Sequence, residues 1–223
     1  MVGGLMSALS VALPRASSAL EVTIAPSTTA AVATGSSSLA TYTDTADRFT
    51  LEVPSDWQQG EGVLGGNSSF SGASGGRRTI AWFPSDGDGN TSLSIVITNV
   101  SVEFTKLGSF GSAYQLGTNL VNIQDKSNLL RQPKWARKKE DIIQIALLVD
   151  AKESRDMYQI EYTVRKEEEA QRHLYSVLAL APNGRYNRLY TVTAQCLEQD
   201  LPTLKPVLSA MLASFTPPRA VSI

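Results

Sequence analysis

From Met157 to Val164 the chain alternates, with Tyr158, Ile160, Tyr162 and Val164 on one face and polar residues between them. A period of two is the mark of a strand with one side against a core. The neighbouring segments extend the pattern. Ile142 to Val149 is an almost unbroken apolar run, which predicts a central strand covered on both faces. Leu174–Leu180 and Arg188–Ala194 read as two more strands around Pro182-Asn183-Gly184-Arg185, and Asn-Gly is the strongest short hairpin signal. A two-residue turn there pairs residues whose numbers sum to about 367, which puts His173 opposite Ala194 and one rung from Cys196. Upstream, Phe49, Leu51 and Val53 alternate with Thr50 and Glu52, and Pro54 ends the strand. Residues 77–83 and 92–99 flank the turn-forming run Asp86-Gly87-Asp88-Gly89-Asn90. Gly60 to Gly76 is rich in glycine and serine and reads as a loop.

Two helices complete the prediction. Phe110–Ile123 has helical spacing, with Tyr114, Leu120, Val121 and Ile123 apolar. Gly111 and Gly117 weaken it by ~1 kcal/mol each. Asp200 is placed to cap a final helix, with Pro202 in its first turn and an apolar stripe of Leu204, Val207, Leu208, Met211 and Leu212. A sheet flanked by two helices needs cover on both faces. The expected fold is therefore α+β: a central antiparallel sheet sandwiched between helices, spanning 42–218.

Residues 1–41 stand apart, with Arg15 and Glu21 their only charged side chains. Their apolar run from Val2 to Leu13 is shorter than the ~20 residues that a membrane helix needs. It has the length of a signal-peptide apolar region, and Ala16-Ser17-Ser18-Ala19 offers small residues for a cut after Ala19. No Lys or Arg precedes the run. The segment is read as a targeting remnant, or alternatively as an extended N-terminal arm.

Composition removes several functions. Twenty Lys+Arg against 21 Asp+Glu leave a net charge of −1 over 223 residues, without the basic surplus that nucleic-acid binding requires. One cysteine, Cys196, and one histidine, His173, exclude an intramolecular disulfide, a cysteine zinc cluster and any mechanism with two histidines. Gly72-Ala73-Ser74-Gly75-Gly76 lacks the lysine of a phosphate loop.

Three candidates for chemistry remain. His173 as a base for Cys196 would make a small hydrolase or ligand-binding domain, but no oxyanion hole or orienting acid accompanies the pair. His173 with Glu198, just past the strand end, could share a weakly held ion such as Mn²⁺ or Zn²⁺; the plain alternative is a surface pair, with Arg172 as another partner for Glu198. The third is Arg131-Gln132-Pro133-Lys134-Trp135-Ala136-Arg137-Lys138-Lys139, with five cations around a tryptophan, partly offset by Glu140 and Asp141. Charge beside an aromatic anchor is how docking surfaces are built. The plain alternative is a solvated loop with Trp135 tucked onto the core.

Tyr42-x-Asp44 followed by Phe49-x-Leu51-x-Val53-Pro54-x-x-Trp57 resembles the opening of the PsbP-domain family of thylakoid-lumen proteins. Asn90-x-Ser92-Leu93-Ser94-Ile95, Gly117, Tyr158-x-x-Glu161-Tyr162, His173-Leu174, Asn187-Arg188-Leu189-Tyr190-Thr191 and Ser214-Phe215 follow in order. The resemblance covers about residues 42–216 and implies an antiparallel sheet between helices. It also implies a non-enzymatic, peripheral protein on the lumenal face of the chloroplast thylakoid. The partner it implies is photosystem II, with an association with Ca²⁺ and a His–acid pair corresponding to His173 and Glu198. Photosystem I or the thylakoid dehydrogenase complex is the alternative partner. One departure stands out. The extrinsic subunit of the oxygen-evolving complex has a basic N-terminal arm, whereas residues 20–41 contain no Lys or Arg. The chain resembles the diverged paralogues more, several of which serve photosystem assembly.

Overall fold

The computed structural model describes residues 38–64, 77–85, 87, 89–101, 103–136, 138, 142–182 and 187–219. Residues 1–37 of the segment read as a targeting remnant or arm, most of the glycine-serine stretch and the Asn183-Gly184 turn lie outside them. Among the described residues no helix is long and apolar enough to cross a membrane.

The elements run β1 (Leu39–Thr43), β2 (Thr50–Pro54), β3 (Trp57–Leu64), β4 (Arg77–Pro84), β5 (Ser92–Asn99) and α1 (Ala113–Gln124), then β6 (Gln144–Ser154), β7 (Met157–Lys166), β8 (Arg172–Pro182), β9 (Asn187–Leu197) and α2 (Leu201–Ser214). β3 to β9 form one antiparallel sheet in the order β3-β4-β5-β9-β8-β7-β6. β1 and β2 make a separate two-stranded ribbon.

Strand alternation sorts the side chains onto two faces. Tyr158, Ile160, Tyr162 and Val164 of β7 meet Leu116 and Leu120 of α1 in one core. On the other face Tyr190, Val192 and Ala194 of β9 meet Leu208 and Met211 of α2, with Phe49 and Leu51 from the ribbon. The helices thus cover opposite faces, as the α+β sandwich requires. Past α2 the chain returns to the ribbon, where Thr216 and Thr50 exchange backbone hydrogen bonds of 2.9 and 3.0 Å.

Several local expectations need correction. The apolar run entering β6 is not central: β6 ends the sheet, and Ile142, Leu147 and Val149 are exposed. α1 covers only the side bearing Ala146, Leu148 and Ala151. A continuous run looks the same whether its second face meets a core or remains open. Gly60 lies within β3 rather than a loop, and β1 carried no strand signal. The first helix begins at Ala113, after a 3-10 turn Leu107–Phe110. There Ser112 and Gln115 form a reciprocal capping box. Tyr114 and Ile123 point outward; Ala113, Leu116, Leu120 and Val121 are the buried stripe. Asp200 sits at the cap position of α2, but its side chain makes no capping bond. Pro182 pairs with Asn187, so the β8–β9 connection is four residues, not two. His173 therefore pairs with Cys196 rather than Ala194.

Candidate functional site

His173 is held between two acids. It lies on β8, on the α2 side of the sheet, with its side chain only 6% exposed. Nδ1 is 3.0 Å from Glu198 Oε2, and Nε2 is 2.8 Å from Glu161 Oε1. β9 ends at Leu197 and passes into the 3-10 turn Glu198–Asp200. That turn is anchored by Glu198 N–H donating to Gln171 O at 2.9 Å. The Gln171 side chain also donates to Glu198 Oε2 at 3.3 Å. Arg172, the alternative partner for Glu198, instead reaches Glu169 at 3.6 Å. Burial raises the Glu198 carboxyl, but the hydrogen bonds from His173 and Gln171 outweigh it and hold it below its ordinary value.

Glu161 was not identified as a site residue. Its signal was present: in the alternation of β7 it falls opposite Tyr158, Ile160 and Tyr162, hence on the face that His173 shares.

This arrangement bears on each chemical candidate. Both ring nitrogens of His173 are taken up by carboxylates, Nδ1 by Glu198 and Nε2 by Glu161. Cys196 is its ladder partner but is fully buried. Burial, then the charges of Asp200 and Glu198, push its thiol up to about 11. A nucleophilic cysteine needs the opposite shift.

A resident metal fits poorly. Each ring nitrogen has one carboxylate beside it, giving two ligands where structural zinc takes four and calcium six to eight oxygens. Among the described residues no group of three or more His, Cys, Asp or Glu is arranged to hold an ion. The donor set does not fit calcium.

Beside the histidine, a groove of about 320 Å³ opens between α2 and β6–β8. Glu161 and Tyr175 line it, as does Lys205 of α2. Lys205 Nζ stands 5.9 Å from the Tyr175 ring centre. The Tyr175 hydroxyl is raised above its ordinary value by burial and then by Glu161. Lys152 and Asp150, which also line the groove, form an exposed pair at 3.6 Å.

The basic segment lies elsewhere, between α1 and β6. Arg131 closes the 3-10 helix Ser127–Arg131 and is exposed. Trp135, in the short helix Lys134–Ala136, is 88% exposed. It is not tucked onto the core. Lys138 is also exposed. Arg137 and Lys139, and the side chain of Lys134, lie outside the described residues.

A buried ion cluster went unread in the sequence. Asp44 and Asp47, in the turn between β1 and β2, meet Arg78 of β4 at 2.8 and 2.9 Å. Asp47 also pairs with Arg188 of β9, and its backbone oxygen accepts from the Tyr190 hydroxyl at 3.0 Å. Tyr42 donates to Asp44 at 3.2 Å. Tyr42, Asp44, Arg188 and Tyr190 all belong to the spaced motifs quoted above. Their spacing is that of a clamp fixing the ribbon to the sheet.

The fold thus defines an antiparallel sheet sandwich of the PsbP kind, clamped at its N-terminal ribbon. The family model for PsbP matches residues 37–217, and the chain belongs to the PsbP family. It is 32% identical over 205 residues to PsbP domain-containing protein 3, chloroplastic, of Arabidopsis thaliana, covering 92% of this chain and 75% of that protein. Its fold is similar to the solution structure of cyanobacterial PsbP (CyanoP) from Synechocystis sp. PCC 6803. The TM-score is 0.56 at 19% identity, over 85% of this chain and 98% of that one.

Proposed function

We propose that this chain is a non-catalytic, peripheral protein of the chloroplast thylakoid lumen. It docks on a photosynthetic membrane complex, photosystem II foremost, as an extrinsic subunit or assembly factor. Membership of the PsbP family and a chloroplastic relative support the compartment. The observation that carries docking is Trp135, 88% exposed within a segment holding five Lys or Arg. A large aromatic left in water gains by burial against a partner, and aromatics and arginine dominate such interfaces. The basic side chains around it steer the encounter and fix its sign. The burial of His173 between two carboxylates and the raised Cys196 thiol support a structural role over a catalytic one.

Fractionation followed by native electrophoresis tests the proposal. The protein should remain with lumen-side membranes at low salt, leave on a salt wash, and co-migrate with photosystem II or its assembly intermediates. Recovery in the stroma would overturn it. Co-migration with photosystem I or the dehydrogenase complex would reassign the partner.

A further inference from the structure

α2 packs on β9 and β8, and the sheet continues past it into β7 and β6. The groove of about 320 Å³ is lined from β6, β7, β8 and α2. Its volume is at the lower end for small-ligand sites, which combine an apolar lining with a few placed polar groups. The apolar lining here comes from Tyr175, Val177, Leu212 and Ala213. Four charged side chains accompany it. Asp150 is paired with Lys152 at 3.6 Å, and Glu161 Oε1 is taken by His173 Nε2 at 2.8 Å. Lys205 has no carboxylate partner among the described residues; its ammonium stands 5.9 Å from the Tyr175 ring centre. The charge that the groove leaves uncommitted is therefore positive.

We propose that this groove is a binding site for a small organic anion, an apolar monocarboxylate whose charged end pairs with the Lys205 ammonium and whose body lies against Tyr175, Val177 and Leu212. Each part of the ligand class follows from the lining. One unpaired ammonium matches one negative charge. Asp150 and Glu161 line the same groove and repel a second, which disfavours phosphate and dicarboxylates. An ion without an apolar body would leave Val177, Leu212 and Ala213 uncovered, forgoing the burial that drives such binding. An organic cation is the opposite case: both carboxylates already have partners, and Lys205 stands at the aromatic ring that would otherwise attract it. The site is independent of the basic segment around Trp135 and of any docking through it.

The test uses the full isotope-labelled chain and three probes of one shape: 3-phenylpropionate, 3-phenylpropanol and 3-phenylpropylamine. His173 is the only histidine of the chain, and its ring centre lies 4.9 Å from that of Tyr175, so its ring signals report on the groove by NMR. Phenylpropionate should shift them, together with the amides of Val177 and Ala213, and saturate near about 1 mM. The alcohol should bind about tenfold more weakly, as should phenylpropionate to Lys205→Met, because a hydrogen bond to a charged group is lost in each case. Lys205→Arg should restore binding. Equal binding of alcohol and carboxylate would overturn the role of charge, and that comparison needs no variant. Stronger binding of the amine would overturn the anion and assign the groove to a cation. Shifts that grow without saturation to about 10 mM, alike in wild type and Lys205→Met, would overturn the site altogether.

Discussion

Arg78 reaches across to Asp47: its Nη1 lies 2.9 Å from Oδ2 of a carboxylate that is 2% exposed. The same nitrogen is 2.8 Å from Asp44 Oδ2, and Arg188 takes the other oxygen of Asp47. Two buried acids on the ribbon turn are thereby tied to β4 and β9. Removing one partner of such a pair leaves the other charge buried without compensation, at about 3–5 kcal/mol. Asp47→Asn should therefore lower the unfolding free energy by about 3 kcal/mol in urea denaturation. A loss below about 1 kcal/mol would mean that the cluster is no stronger than a surface pair.

Gly117 makes the opposite kind of prediction. In an isolated helix, replacing it with alanine would gain about 1 kcal/mol. Here the new methyl would sit 3.1 Å from Leu148 Cδ1, 3.2 Å from Ile160 Cγ2 and 3.3 Å from Ala151 Cβ. α1 lies so close to β6 and β7 that all three neighbours would have to give. Overpacking of this kind costs about 1–3 kcal/mol. Gly117→Ala should thus be net destabilising by about 1 kcal/mol, read as a lower urea midpoint at unchanged slope. A stabilised variant would show that the sheet yields readily.

The two acids around His173 predict a pH dependence. Glu198 is held below its ordinary carboxyl value in the folded state. Its contribution is therefore fully present above the unfolded value and is lost as pH falls through the lower folded one. Its side chain is 43% exposed, so the contribution stays under about 1 kcal/mol. Glu198→Gln should be slightly less stable than wild type at neutral pH, and the gap should narrow as pH falls below the ordinary carboxyl range. A gap that is constant with pH would show that the carboxylate's charge is not what matters there.

Much of this fold was legible in the sequence because alternation is a direct image of a two-faced sheet. Tyr158 to Val164 announced both the strand and its buried face. The His173–Glu198 contact was equally accessible, since both residues flank one hairpin. Three features were hidden for physical reasons. β6 read as central because an apolar run does not say whether its second face meets a core or open solvent. The Asp44–Asp47–Arg78–Arg188 cluster joins residues up to 141 positions apart, and only the strand order brings them together. Glu161 escaped because on its own it resembles any polar residue of an alternating strand. Its meaning came from the histidine on the neighbouring strand. Trp135 shows the converse: sequence singled it out, and only the structure reveals that it stands in solvent.

The docking segment can be tested through charge alone. Exposed ion pairs contribute only ~0–1 kcal/mol to folding, so reversing Arg137, Lys138 and Lys139 to Glu should leave the melting temperature nearly unchanged. Trp135→Ala should act mainly on dissociation, raising the off-rate about tenfold or more, as loss of a central aromatic anchor does. The decisive measurement is the salt concentration that releases each protein from thylakoid membranes. Docking through this segment predicts release of the triple reversal at markedly lower ionic strength than wild type, because steering charges are screened. Release of both proteins at the same salt concentration would contradict it, reducing residues 131–139 to a solvated connection between α1 and β6.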